Sequence, residues 1–298
     1  MSKHTIREDI IHAVRDLDTM PTLPAVVERL KQEIESPKAS ARSVATLVED
    51  DPPTMARVLK LVNSPVYAPS FGLGKNITID QAVVRLGMNE LRNIVITSSV
   101  MTLFPRTGAA NFNRNEFWRH SICCGLVAAA LLDYTKVKMP CTRSEIELAG
   151  LCHDIGKILL DQYFHDAFLD ALDHAAKEKV LLYEAEVRLL HIEHGEIGGI
   201  LAGRWGLPEP IRSAISFHHR LDKVKGKAEE SVVQLIHLAD FICNHQALGV
   251  SGNGRSMEFP RACFAALGLD VAVIPEIIER VQEEAKKSEI FLNLVNAP

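Results

Sequence analysis

His153-Asp154-Ile155-Gly156-Lys157 places an imidazole beside a carboxylate directly after an apolar helical run. Nitrogen and oxygen donors of this kind suit borderline first-row ions such as iron, manganese, zinc or nickel, and neither has to pass through an unfavourable ionisation to bind one. Two adjacent donors do not close a coordination shell, so the remaining donors must come from elsewhere in the chain. Of the twelve histidines, five (His120, His153, His194, His218 and His219) fall where the pattern reads as helix starts or ends, accompanied by Asp154 and Asp240. Seven such donors exceed what one ion needs. A shared Asp154 carboxylate would bridge two ions, the arrangement that clamps the attacking and leaving oxygens in phosphoester cleavage, with an activated water as nucleophile. Lys157 would then neutralise phosphate charge or assist the leaving oxygen, which makes Asp154 and Lys157 the candidate catalytic pair.

A plainer reading stands beside this one. A single histidine is more commonly a hydrogen-bonded helix-end residue than a ligand. His191, three residues before His194, would share its helical face and is an alternative donor or a supporting neighbour. His237 stands in the same relation to Asp240. The Gly198-Gly199 pair is most simply a close helix contact.

The elements that must position these residues are helical throughout. With 298 residues, 47% hydrophobic and 24% charged, the chain has material for one large domain or two modest ones. Apolar residues recur at helical spacing from Ile6 to Leu17, from Val26 to Ile34 and from Val44 to Val48, and strand alternation is absent, so the expected class is all-α. Ser40, Asp51-Pro52-Pro53 and Thr78 read as helix starts and Gly87 as a stop. His120 reads as the opening of a helix. Ser144 with Glu147 reads as the capping box of the helix that runs into His153-Asp154. The Pro- and Gly-rich stretch from Asn63 to Lys75, with Tyr67 and Phe71, is expected to be an organised surface loop of the kind that carries binding. A joint is expected across Pro105 to Asn115, giving an N-terminal helical half over 1–110, a metal-site core over 111–250 and a helical extension over 251–298. A net charge of −5 and a pI near 6.2 disfavour nucleic acid as a partner. No apolar run is long enough to span a bilayer and no signal-type core follows Met1 to Asp9, so no membrane association and a cytoplasmic location are expected. The six cysteines contain no C-x-x-C pair and are expected to be reduced, mostly core residues.

Several motifs in order resemble the HDOD family, the HD-related output domain of the HD metal-dependent phosphohydrolase superfamily. Met20-Pro21-Thr22-Leu23-Pro24, Asp51-Pro52, Leu61-Val62-Asn63-Ser64-Pro65 and Ala82 to Gly87 are similar to its N-terminal half. Trp118-Arg119-His120-Ser121, Leu151 to Lys157, His194-Gly195-Glu196-Ile197-Gly198, Trp205-Gly206-Leu207-Pro208 and His218-His219 are similar to its HD half. The likeness covers about residues 16–245. It implies an HD helical core preceded by an N-terminal helical subdomain, and a role in bacterial signal transduction. By likeness to the related HD-GYP phosphodiesterases, His120, His153, Asp154, His194, His218, His219 and Asp240 match metal positions, and Lys157 matches the lysine beside them. The acidic residue that those enzymes place before the third motif has three candidates here, Glu184, Glu186 and Glu193. After His218-His219 the chain reads Arg220-Leu221-Asp222-Lys223, without Gly-Tyr-Pro.

Two functions are therefore expected. One is a regulatory output protein that retains one or two divalent transition-metal ions, binds a small phosphorylated ligand and presents its N-terminal half to a regulatory protein. The other is a metal-dependent phosphohydrolase acting on a nucleotide or cyclic dinucleotide. In that case His120, His153, Asp154 and Asp240 would hold one ion, and His194, His218 and His219 would help to hold a second.

Overall fold

In the computed structural model, residues 6–15, 21–22, 24–63, 77–104, 112–253 and 257–282 are described. Every regular element among them is a helix, and none is long and apolar enough to cross a membrane. They form two compact units.

One unit contains the helices Ala25–Glu35, Ala41–Glu49, Pro52–Val62, Ile79–Leu86 and Met88–Thr102. Each break follows from local chemistry. The Ser40 and Thr78 side chains accept the N3 amides of Ser43 and Gln81 in capping boxes, and Asp51 caps Thr54 ahead of Pro52-Pro53. Gly87 ends its helix at φ 88°. Val44, Val48, Val58, Leu61, Val62, Val83, Leu91 and Val95 fill the centre. The Asn63 side-chain amide accepts from Ile77 N at 2.6 Å and donates to Ile77 O at 3.2 Å, which ties together the two ends of the expected binding loop. Residues 64–76, with Tyr67 and Phe71, lie outside the described residues.

The other unit contains Ile6–Arg15 together with Arg114–Leu131, Arg143–Cys152, Ile155–Tyr163, His165–Glu178, Leu182–Leu190, His194–Arg204, Glu209–Phe217, Glu230–His245 and Arg261–Leu267. Thus the first helix belongs to the histidine-bearing unit, where it packs on the His194–Arg204 helix. Ile10 and Val14 are buried, Arg7 pairs with Glu196 at 2.5 Å and donates to His191 O, and Arg204 donates to Val14 O at 3.1 Å. Cys123, Cys124, Cys152, Cys243 and Cys263 are buried free thiols, and Cys141 is partly exposed.

Two helix starts differ from the sequence expectation. His120 does not open a helix: Asn113 caps the helix at Arg114, so His120 lies in its second turn. The capping box before His153 is Thr142 with Glu145, two residues earlier than Ser144 with Glu147. Both pairs satisfy the same S/T-x-x-E pattern, and the earlier one wins because it adds a half turn of hydrogen-bonded backbone before Ile146 enters the core.

The start of the His120 helix is anchored by a buried ion pair. Arg114 Nε donates to Asp161 Oδ2 at 2.7 Å, His165 Nδ1 lies 3.0 Å from Asp161 Oδ1, and Arg114 and Asp161 are 6% and 4% exposed. Asp161→Ala, which leaves the guanidinium buried without this carboxylate, is expected to cost about 3–5 kcal/mol in urea unfolding. The paired change Arg114→Met with Asp161→Leu should recover most of that loss, because neither charge then remains to be desolvated.

Candidate metal centre

His153 ends the Arg143–Cys152 helix as its C-cap, and Asp154 is the N-cap of Ile155–Tyr163, so the pair sits on a sharp corner between two helices. Glycines bring the neighbouring helices to that corner. At the crossing of the His120 helix with Arg143–Cys152, a Cβ on Gly150 would lie 2.5 Å from Gly125 Cα. At the next crossing, a Cβ on Gly156 would lie 2.0 Å from His194 O. Gly198 and Gly199 make the close helix contact expected of them, against Ile215 and Ser216 of the helix that ends at His218. Small residues at helix crossings thus set how near the donors come.

His120, His153, Asp154, Lys157, His194, His218 and Asp240 converge in one place and are each at most 2% exposed, while His219 is partly exposed. Asp154 stands in the middle. Its Oδ1 lies 3.1 Å from His194 Nε2 and 3.6 Å from His218 Nε2. Its Oδ2 lies 3.3 Å from His153 Nε2, 3.8 Å from His120 Nε2 and 2.6 Å from Lys157 Nζ. Donor atoms form two groups within 4.8 Å of one another, Asp154 with His194, His218 and His219, and Asp154 with His120 and His153. The one carboxylate serves both groups. Asp240 adjoins the second, with Oδ1 at 3.0 Å from His120 Nε2 and 3.7 Å from His153 Nε2.

The ring orientations are set from behind. His153 Nδ1 donates to Gly150 O at 2.7 Å and His218 Nδ1 to Ile215 O at 3.0 Å, since a carbonyl can only accept. His194 Nδ1 faces Glu186 Oε2 at 2.6 Å, and the same oxygen accepts His194 N at 2.8 Å. With Nδ1 carrying the proton, each Nε2 presents a lone pair to the centre. His153, His194 and His218 Nε2 and Asp154 Oδ1 are all buried with no hydrogen-bond partner. Buried polar atoms left without hydrogen-bond partners cost about 1–3 kcal/mol each. A divalent cation is what such a donor set satisfies, so these residues fit a metal ion and the cluster can hold one.

Electrostatics agree with that fit. Burial pushes the Asp154 carboxyl up, but His153 and Lys157 outweigh it and hold Asp154 well below the usual carboxylate range. Asp240 is likewise held down, against burial, by hydrogen bonds with His120 and His153. Burial lowers His218 to about 4, which leaves its imidazole neutral. Burial also disfavours charge on His194, but Glu186 outweighs it and raises the ring to about 9. At neutral pH His194 therefore carries a proton that a cation binding at Nε2 would displace.

Lys157 spends two of its donors on Asp154 Oδ2 and Ser251 O, at 2.6 and 2.9 Å. His191 is exposed at φ 56° beyond the end of Leu182–Leu190, so it shares no helical face with His194 and is not an alternative donor. His237 Nδ1 donates to His218 O at 2.7 Å and supports the helix end that carries His218. Of the three acidic candidates, Glu184 caps Leu181 N and Glu193 lies 4.0 Å from Arg220, leaving Glu186 as the one that touches the centre. Its place was readable in the sequence: Leu182, Glu186 and Leu190 follow at four-residue steps on one helical face, and both leucines are apolar. Asn244 and Ser251, which also support the centre, carried no such signal.

A helical unit with a buried histidine and aspartate cluster at a helix corner defines an HD-type protein. The HDOD domain family matches residues 20–221, and the chain belongs to that family. A protein of Treponema pallidum (strain Nichols) described only as uncharacterised is 27% identical over 206 residues, covering 69% of this chain and 38% of that protein, so the match spans well under half of that relative. Among solved structures, an HDOD domain protein of unknown function from Geobacter sulfurreducens is similar with a TM-score of 0.76 and 26% identity, covering 96% of this chain and 97% of that one. A provisionally named phosphohydrolase from Shewanella amazonensis SB2B has a TM-score of 0.70 at 21% identity, with coverage of 97% and 99%. At that identity the likeness is one of fold.

Proposed function

We propose that this chain is a bacterial signal-transduction output protein of HDOD type, whose histidine-bearing unit binds one or two divalent transition-metal ions. The observation that carries the reading is the set of buried donor atoms on His153, His194, His218 and Asp154 that face one another without hydrogen-bond partners. His120, His153, Asp154 and Asp240 would hold one ion, and Asp154, His194, His218 and His219 a second. The metal site is assigned to a small phosphorylated ligand. The Ala25–Thr102 unit is assigned to a regulatory protein partner, by analogy with the output role implied by the family.

A second reading, metal-dependent phosphoester hydrolysis, is favoured by one feature: the two Asp154 oxygens address separate donor groups. Divalent ions at such a site supply Lewis-acid polarisation of a phosphoryl oxygen and a lowered pKa for water. The chain's own part is to fix their separation through Asp154, to hold that carboxylate ionised with Lys157, and to keep the rings in one tautomer through Gly150 O, Ile215 O and Glu186. Protein purified without chelator from cells supplemented with manganese or iron should carry roughly one to two ions per chain by elemental analysis, in keeping with a shared-carboxylate site. A metal-free product would remove both readings. Hydrolysis of bis-p-nitrophenyl phosphate by the loaded protein, lost in Asp154→Asn, would select the enzyme reading, whereas no hydrolysis by a loaded protein would leave the regulatory one.

A further inference from the structure

Beyond the donors themselves, one short segment reaches the centre from a direction that neither the HD motifs nor the family match includes. The matched region stops at residue 221, and the segment runs from Ala247 to Asn253. Ala247, Gly249 and Gly252 have φ values of 52°, 86° and 86°, so the backbone reverses repeatedly and stays against the core. At Gly249 it presses on the His120 helix: a Cβ there would lie 2.3 Å from His120 N, and Val250 N donates to Glu116 O at 3.2 Å.

Ser251 of this segment and Asn244 of the Glu230–His245 helix before it act on the carboxylates. Asn244 Nδ2 donates to Asp240 Oδ1 at 2.6 Å and to Asp240 O at 2.9 Å. The Ser251 hydroxyl donates to Asn244 Oδ1, which fixes the amide so that its nitrogen faces Asp240. Ser251 O accepts from Lys157 Nζ at 2.9 Å, the same ammonium that holds Asp154 Oδ2. Asn253 closes the arrangement, donating to Ser251 Oγ at 3.1 Å and accepting Leu182 N at 3.0 Å, the first residue of the helix that carries Glu186. Asp240 and Asp154 are thus oriented through a single serine, by its hydroxyl on one side and its carbonyl on the other.

We infer that Asn244 and Ser251 are positioning residues that aim the Asp240 carboxylate at the His120 and His153 side of the metal centre. The inference rests on the metal reading above. Asp240 Oδ1 lies between His120 Nε2 and His153 Nε2. Without the Asn244 donor the carboxylate loses a hydrogen bond that helps to fix its terminal torsion, and a supporting hydrogen bond of this kind typically changes metal affinity by about 10–100-fold. The His194 and His218 side, oriented by Glu186 and Ile215 O, does not depend on it.

The test is Mn(II) binding to the full chain, followed by electron paramagnetic resonance, for wild type, Asn244→Leu and Ser251→Ala, with thermal unfolding of the chelated proteins in parallel. Asn244→Leu keeps the volume and removes the donor. Ser251→Ala keeps the backbone carbonyl on Lys157 and removes only the hydroxyl, so it carries the test should the leucine variant fail to fold. The expected result is a weakening of about 10–100-fold for one class of Mn(II), the other unchanged, with no matching fall in the unfolding temperature of the chelated protein. Wild-type affinity for both classes in the folded variants overturns the inference and leaves the metal reading intact. A fall in unfolding temperature with affinity unchanged also overturns it, because the role is then one of stability. If wild type binds no Mn(II), the metal reading falls and this assignment falls with it.

Discussion

Asp154→Ala is expected to yield a protein that carries no metal and is less stable by about 3–5 kcal/mol. Both losses come from one geometric fact. The carboxylate is 1% exposed, gives one oxygen to His194 and His218 and the other to His120 and His153, and is the ion-pair partner of Lys157, itself 1% exposed. Removing it takes the shared donor from both groups and leaves an ammonium buried with Ser251 O as its acceptor. The two losses can be separated. Adding Lys157→Met to Asp154→Ala removes the stranded charge and should restore most of the stability while restoring no metal. Urea unfolding and elemental analysis of the single and double variants provide the check, and recovery of metal in the double variant would contradict a bridging role for Asp154.

Gly156→Ala is expected to be a damaging single-methyl change beside the centre. The added carbon would sit 2.0 Å from His194 O, 2.8 Å from His194 C and 3.0 Å from Gly198 N, all backbone atoms that cannot rotate away. The His194 helix must move off, at a cost of about 1–3 kcal/mol or more, and His194 Nε2 then leaves its place 3.1 Å from Asp154 Oδ1. The expected result is a lower unfolding temperature together with loss of metal on the His194 side. Gly203→Ala, on the His194–Arg204 helix, is the control: its nearest neighbour is the flexible Arg212 side chain at 3.5 Å, and the change should stabilise by about 0.5–1 kcal/mol. Equal behaviour of the two variants would mean that the close crossing does not set the donor distances.

Much of this was legible in the sequence, for physical reasons. Helical periodicity without strand alternation was enough for the all-α class. The Thr78 cap and the helix starts at Ser40 and Asp51-Pro52-Pro53 stood where the structure has them, because a short side chain there accepts an orphan amide. His153-Asp154 was legible because two polar residues interrupt an apolar run where burial would otherwise be free of cost. His120 was read as a candidate donor but misplaced on its helix, because Asn113 and Arg114 before it look like loop residues until Asn113 caps the helix and the pair with Asp161 buries Arg114. Glu186 could have been separated from Glu184 by its position between Leu182 and Leu190. Asn244 and Ser251 could not: their role depends on a chain reversal at Gly249 and Gly252 that brings Ser251 O to Lys157, 94 positions away in the sequence. The packing of Ile6–Arg15 against the His194 helix was hidden for the same reason, since the Arg7 to Glu196 pair spans 189 positions.

The central claim is that the lone pairs around Asp154 belong to a metal centre, and anomalous diffraction tests it most directly. Crystals of protein purified without chelator, measured above and below the manganese and iron absorption edges, should show one or two anomalous peaks. These should lie within coordination reach of Asp154, one toward His194, His218 and His219 and the other toward His120, His153 and Asp240. Crystals from manganese- or iron-supplemented protein with no anomalous peak beside Asp154 would contradict the account.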